Sequence, residues 1–152
     1  MRTGLRVVVA RPFPHSGAGQ DPRYVVPDFA RKIATARKGG HKTVSVGDLR
    51  VVRELLHVRD VVDAYARLVN LSGATGVYNV ARGEGHELAM VFEAVAEAVG
   101  YRPDPVSDQQ QNGAVSYQVG DAGRLREATG WAPSMSFDEV IADVASAWRS
   151  ED

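Results

Sequence analysis

Cysteine is absent from all 152 residues. Disulfides and thiolate chemistry are therefore excluded, and the composition fits a reducing compartment. No apolar run approaches the roughly 18 to 20 residues that a membrane span needs. Arg2-Thr3-Gly4 ahead of one brief apolar stretch is not a signal peptide. Neither charge is in excess: 18 Lys and Arg stand against 19 Asp and Glu, for a net charge of −1. No basic stripe is thus offered to a phosphate backbone, which argues against nucleic acid as a partner. The histidines at 15, 41, 57 and 86 have no metal-ligand spacing. Ser16 lacks the G-x-S-x-G elbow of a hydrolase nucleophile. These absences describe a cytoplasmic protein without metal, membrane or nucleic-acid contacts.

What is present is ordinary globular composition, 44% apolar and 24% charged. A chain of this length is expected to form one domain over residues 1–152, burying about 70% of its unfolded surface. The stretch Arg11-Pro12-Phe13-Pro14-His15-Ser16-Gly17-Ala18-Gly19-Gln20 organises the reading. It follows Leu5-Arg6-Val7-Val8-Val9-Ala10, a short β-branched run that reads as a strand buried on both faces. Pro12 and Pro14 remove backbone donors and are expected to end that strand. Gly17 and Gly19 allow a sharp turn and a close backbone approach. Strand, glycine-bearing loop and helix is the layout in which open α/β sheets hold ligands. A plain connection is an equally good reading of the layout alone.

Further along, Val26, Phe29, Ala30 and Ile33 form a helical stripe over 24–38, with Arg37 and Lys38 in its last turn and Gly39-Gly40 beyond. Thr43 to Val46 is a strand candidate closed by Gly47-Asp48, and Val51 to Val58 suggests another. From Asp60, the residues Val61, Val62, Tyr65, Leu68 and Val69 recur at helical spacing. Val77 to Val80 reads as a strand. A Gly-rich link then leads to a helix with Leu88, Val91, Phe92, Val95 and Val99 on one face and Gly100 as its cap. Residues 101–114, with two prolines and three consecutive glutamines, read as a surface loop. Val115 to Val119 suggests a strand, and Asp121 the cap of a short helix. Ser136 and Glu139 make a capping box for a last helix that turns Phe137, Val140, Ile141, Val144 and Trp148 inward. Strands and helices alternate, and the class is α/β.

One basic constellation bears on chemistry. Arg23, Arg31 and Lys32 surround the amino half of the first helix, and Arg53, His57 and Arg59 precede Asp60. Were these segments neighbours, cations and a helix amino terminus would converge as a diphosphate requires. On charge alone, a solvated face explains them better.

Several motifs in order change that balance. Arg11 to His15 with Gly17-Ala18-Gly19-Gln20 resembles the R-P-F-N-H-x-G-P-G-Q segment of extended short-chain dehydrogenase/reductases, the NAD-dependent epimerase/dehydratase family acting on nucleotide sugars. Pro22 to Arg31, Val46-Gly47-Asp48-Leu49, Arg53-Glu54, His57 to Tyr65, Gly76 to Val80, Gly120-Asp121 and Gly130-Trp131-Ala132-Pro133 continue the resemblance. It is similar above all to the branch of GDP-mannose 4,6-dehydratase and GDP-4-dehydro-6-deoxy-mannose reductase.

The resemblance implies the carboxyl-terminal part of a Rossmann-type fold, the last Rossmann strand plus a sugar-nucleotide-binding lobe, lacking the amino-terminal cofactor half. It implies that Arg53 pairs with the substrate diphosphate, that Phe29 and Val46 line the nucleotide pocket, and that His15 lies on the cofactor side. Arg31 and Lys32 are carried as further substrate-binding candidates from the basic constellation. The family's cofactor is NAD(P), but neither its Gly-x-x-Gly-x-x-Gly loop nor its Tyr-x-x-x-Lys pair occurs in this chain. The chain alone is therefore expected to bind no NAD(P) and to have no catalytic residue. Pro14 replaces an Asn that reaches the substrate phosphate, and Gln111-Asn112-Gly113-Ala114 replaces a diphosphate arginine and a ribose-binding carboxylate. The expected partners are a nucleotide sugar, with a GDP-sugar favoured, and either a second copy or a separately encoded cofactor-binding half. A second copy would join through the unpaired edge of the first strand. The alternatives are a stand-alone nucleotide-sugar-binding module and a non-catalytic interaction remnant of a truncated gene.

Overall fold

The computed structural model describes residue 4 and residues 7–107 and 116–149. In chain order the elements are β1 (Val8–Pro12), β2 (His15–Ser16), α1 (Val25–Gly39), β3 (Thr43–Val46), β4 (Val52–Glu54), β5 (Leu56–His57), α2 (Val58–Asn70), β6 (Gly76–Val80), β7 (Gly85–Glu87), α3 (Leu88–Val99), β8 (Asp104–Ser107), β9 (Tyr117–Gln118), α4 (Gly123–Thr129) and α5 (Phe137–Ser146). Strand β1 pairs with β6, β2 with β5, and β3 with β8, each in parallel. A fourth group places β4 between antiparallel β7 and parallel β9.

Two apolar clusters hold these pieces. In the first, the stripe of α1 (Val26, Phe29, Ala30, Ile33) meets Val91, Phe92, Val95 and Val99 of α3 and Ile141 and Val144 of α5. Phe29 and Phe92 pack edge to face with ring centroids 5.3 Å apart. Gly40 and Gly100 close α1 and α3 in left-handed geometry, and Ser136 and Glu139 form the capping box of α5. The second cluster gathers Leu56, Tyr78, Val80, Leu125 and Trp131 beneath Val61, Ala64 and Leu68 of α2.

The sequence-based expectations fail at identifiable points. The first strand is not buried on both faces: Val9 is exposed while Val8 and Ala10 turn inward. It ends at Pro12 as expected, with one further hydrogen bond from Phe13 N–H to Val80 O at 3.0 Å. Leu5 and Arg6 lie outside the described residues. The run expected over Val51 to Val58 is split into β4 and β5, and Val58 already belongs to α2. The helix expected from Asp60 starts earlier, at Val58, where His57 caps it by accepting the Arg59 N–H, and Asp60 lies in its first turn. Part of the expected loop over 101–114 is strand β8, which pairs with β3 although it contains Pro105. Residues 108–114 of that loop lie outside the described residues, as does Val115.

Two buried carboxylates supply what apolar packing does not. Glu54, fully buried, accepts the backbone N–H groups of Arg82 at 3.2 Å, Gly83 at 3.1 Å and Gly120 at 2.9 Å. Gly83 is at φ +82°, where any other residue is strained, and a Cβ on Gly120 would strike the Phe13 ring. Asp60 spans a comparable distance in sequence. It accepts from the Ser134 N–H and hydroxyl and from the Met135 N–H, while its carbonyl accepts the Trp131 indole N–H at 3.1 Å. A buried carboxylate surrounded by donors leaves those donors unsatisfied when it is removed.

Glu54→Ala is expected to cost about 3–5 kcal/mol, since it strands buried donors. The exposed Glu84→Ala is expected to stay within about 0.5 kcal/mol. Urea unfolding of the two variants checks this, and similar losses would contradict the role given to Glu54.

Candidate functional site

A groove runs over the amino end of α1 in three connected parts. The first, about 270 Å3, is lined by His15, Ser16, Val58 and the loop Gly17 to Gln20. His15, Ser16 and Gln20 also line the second, about 390 Å3, which continues over Pro14, Leu55 and Gln118. Tyr24 and Val25 carry the second into the third, about 330 Å3, whose walls include Arg23, Asp28, Phe29, Asp48, Leu49, Arg53 and Leu88. Strand alternation explains why β4 serves the groove: Glu54 faces inward to its backbone donors, so Arg53 and Leu55 point the other way.

No side chain caps α1, and its first turn contains Pro27. The positive end of the helix is therefore directed at the Tyr24–Val25 junction of the groove. Around the third part, the cations Arg23, Arg31, Lys32, Arg50 and Arg53 outnumber the carboxylates Asp21, Asp28 and Asp48. Asp28 is held by Arg31 and Lys32, both at 2.7 Å. Hydrogen bonds from the Arg50 side chain and then from its backbone pull the Asp48 carboxyl down from 3.8 to about 2. Both carboxylates that face the groove are thus compensated, and Arg53 adds a charge at its wall.

The loop of the first part is fastened from a distance. Asp143 of α5 accepts the Ala18 N–H at 2.9 Å and the His57 Nε2–H at 3.0 Å. The His57 ring is buried, and its Nδ1 accepts from Arg59 N–H, which fixes the neutral tautomer. The close approach at Gly17 is to Val58, where a Cβ would come within 2.7 Å of Cγ1. That glycine leaves room for Val58 while its backbone lines the first part of the groove.

The expected site residues separate into two groups. Arg53 and Phe29 line the third part of the groove, and His15 lines the first and second. Phe29 reaches it from the core, being only 3% exposed. Val46 is in the core and does not line the groove, whereas Gly47 beside it does. Arg31 and Lys32 are directed to Asp28 rather than to the cavity. The basic constellation therefore breaks up: His57 is a buried cap, and Arg23 and Arg53 are the members that reach the groove. Tyr24, Leu49 and Leu88 escaped sequence reasoning as lining residues, although Asp48-Leu49 lay within a quoted motif. The contact of Asp143 with the loop is 125 residues away and left no local signal. Residues 111–114 lie outside the described residues. Among the described residues no group of three or more metal-ligating side chains occurs. No helix among them is long and apolar enough to cross a membrane.

The family profile described as GDP-mannose 4,6 dehydratase matches residues 1–144. The chain belongs to this family. It is accordingly an extended short-chain dehydrogenase/reductase with a Rossmann-type α/β fold. The GDP-6-deoxy-D-mannose reductase of Pseudomonas aeruginosa is 35% identical over 150 residues, which are 97% of this chain and 49% of the reductase. A UDP-glucose 4-epimerase of Mycolicibacterium smegmatis is 30% identical, covering 91% of this chain and 41% of the epimerase. Among solved structures, the protein RMD of Pseudomonas aeruginosa complexed with NADPH superposes with a TM-score of 0.87, covering 97% of this chain and 50% of that one. The UDP-glucose 4-epimerase of Thermotoga maritima with UDP-glucose gives 0.84 at 28% identity, covering 95% and 46%. The chain thus spans about half the length of the relatives it matches.

Family members bind NADPH or NAD. His15 Nδ1 is bonded to Phe13 O, Ser16 and Gln20 bond to one another, and no Gly-x-x-Gly-x-x-Gly exists to hold the phosphates.

The loop clamp has a pH signature. Hydrogen bonding from Ala18 N–H, and secondarily from His57, holds the Asp143 carboxyl below its ordinary 3.8. A lowered carboxylate stabilises above its unfolded value, and that contribution disappears as pH falls through the folded value. Wild type is expected to be more stable than Asp143→Ala above pH 4, with the gap closing below it. Urea midpoints for both proteins from pH 3 to 7 check the sign, and a gap independent of pH would contradict it.

Proposed function

We propose that this chain is the nucleotide-sugar-binding portion of a GDP-mannose 4,6-dehydratase/reductase-like enzyme, and that it folds as one domain holding the last Rossmann strand and the substrate lobe. The observation that carries this reading is the third part of the groove. There the uncapped amino end of α1 and the guanidinium of Arg53 flank a cavity of about 330 Å3. Backbone N–H groups at a helix start and an Arg fork suit a diphosphate, and Phe29, Leu49 and Leu88 supply apolar wall for a nucleoside. A GDP-sugar is favoured because the family match and the 35% identical relative both carry GDP-sugar names.

On this reading the chain holds substrate while a separate α/β half supplies NAD(P) and the proton-transferring pair, and the isolated chain is inactive. Affinity is reduced by Pro14, which offers no donor where relatives are expected to place an amide. Soluble nucleotide-sugar binding without chemistry is the behaviour of the chain by itself.

Calorimetric titration with GDP-mannose tests the reading. Arg53→Ala is expected to weaken binding about 10- to 100-fold, the equivalent of one charge-assisted hydrogen-bond set. Arg67→Ala, whose guanidinium pairs with Asp63 on the far side of α2, is expected to change it less than twofold. Equal effects would mean that the groove is not the site. NAD(P)-dependent turnover of GDP-mannose by the pure chain would refute the assignment of catalysis to another half.

A further inference from the structure

Strand β7 pairs antiparallel with β4, so that His86 stands directly opposite Arg53, and Gln118 of β9 stands opposite Arg53 from the other side. Residues opposite one another in a ladder present their side chains to the same face. An imidazole, a guanidinium and a carboxamide therefore form one row across the three strands. Arg53 lines the third part of the groove and Gln118 the second. His86 is buried instead, with its ring tilted on that of Phe137 at 4.3 Å between centroids. Among the described residues, its Nε2 is a buried side-chain nitrogen that has no hydrogen-bond partner. A position that packs on Phe137 needs only an apolar side chain, and an unpaired buried polar atom is a cost that such a side chain avoids. Oε1 of Glu84 lies 3.8 Å from this nitrogen, an ion-pair distance for a protonated ring but too long for a hydrogen bond.

The charges around the ring decide what its protonation does. On the connection before β7, Glu84 is exposed and also meets Arg82 Nε at 3.4 Å, while Arg82 Nη1 donates to Met135 O at 2.7 Å. From α5 the ring meets Phe137; Asp138 is exposed, and Glu139 is turned back on the Ser136 N–H. From β4 it faces Arg53, while Glu87 lies opposite Val52 on the other face of the sheet. An imidazolium at 86 thus gains a solvent-screened carboxylate and a like charge across the ladder. Like charges directly opposite one another are destabilising. A diphosphate held by Arg53 relieves that repulsion, because its negative charge is shared by both cations.

We propose, resting on the reading of the groove as a nucleotide-sugar site, that His86 is a positioning residue for Arg53 and takes up a proton when the diphosphate binds. Affinity for the nucleotide sugar then rises as pH falls through the range in which histidine titrates. The proton comes from solvent and goes to the imidazole. The sign follows from reciprocity: a bound anion that favours the imidazolium is itself favoured by it, by the same factor. The Phe137 ring beneath the imidazole suits a cation as well as a neutral ring.

Calorimetric titration of the full chain with GDP-mannose between pH 8 and pH 5.5 tests this. The diphosphate diester has no group that titrates in that range, so any proton taken up is the protein's. Wild type is expected to bind about 5- to 10-fold more tightly at pH 5.5 than at pH 8. Binding heats in buffers of different ionisation enthalpy are expected to show proton uptake. His86→Gln, and His86→Phe, which keeps a ring on Phe137, are each expected to lose the pH dependence. His15→Gln, at the groove wall, is expected to keep it. Magnetic resonance of the histidine rings gives a readout without ligand: the His86 ring is expected to take its proton at higher pH in Arg53→Gln than in wild type. The proposal is overturned by a wild-type affinity independent of pH, or by a dependence that survives both His86 variants or vanishes with His15→Gln. A His86 ring that titrates alike with and without Arg53 overturns it equally. No binding at any pH would refute the groove reading itself, and the proposal with it.

Discussion

Glu54 is the constraint on which the arrangement depends. A fully buried carboxylate is costly unless donors surround it, and here the donors come from Arg82, Gly83 and Gly120, segments far apart in the chain. To meet them, the backbone after β6 must turn through left-handed Gly83, and Gly120 must approach the Phe13 ring too closely for any side chain. These requirements draw β4, the end of β6 and the segment after β9 together. With Glu54 fixed inward, strand alternation leaves Arg53 and Leu55 facing the groove. A polar contact in the interior thus sets the position of a charge at the surface.

The groove inherits its character from compensation rather than from a single charged patch. Asp28 and Asp48, which face it, are each bound by neighbouring cations, and Asp48 titrates near 2 as a result. The amino end of α1 and the Arg53 guanidinium, whose Nη1 donates to Val52 O at 2.8 Å, also stand at its wall. The far end is shaped by the clamp from Asp143 through Ala18 and His57, which holds the glycine loop to α5. Family membership gives this groove its meaning, because the matched half of the relatives corresponds to nearly the whole of this chain.

Much of the fold was legible where one local rule sufficed. The stripes of α1 and α3, the glycine caps at Gly40 and Gly100, and the Ser136–Glu139 box each follow from residues within one or two turns. The expectations failed where distant partners decided. Asp104 to Ser107 became a strand because β3 offered it a ladder, despite Pro105. Helix α2 starts at Val58, ahead of Asp60, because the buried His57 ring caps it through the Arg59 N–H, a role that no local spacing marked. Periodicity grouped Val62, Tyr65 and Val69 with Val61 and Leu68 at helical spacing, yet period alone cannot distinguish two adjacent apolar stripes, and these three are exposed. For the groove, motif order selected Arg53, Phe29 and His15 as its wall. Charge clustering misled at Arg31 and Lys32, whose pairing with Asp28 is a matter of rotamers that no spacing records.

The central claim is that the groove between the start of α1 and β4 receives a nucleotide diphosphate through Arg53. Backbone amide shifts of the labelled chain titrated with GDP-mannose test it most directly. The account predicts saturable changes at Tyr24, Val25, Leu49 and Arg53, with the Ala66 to Leu71 surface of α2 unmoved. Shifts absent at saturating ligand, or confined to that distant surface, would contradict it.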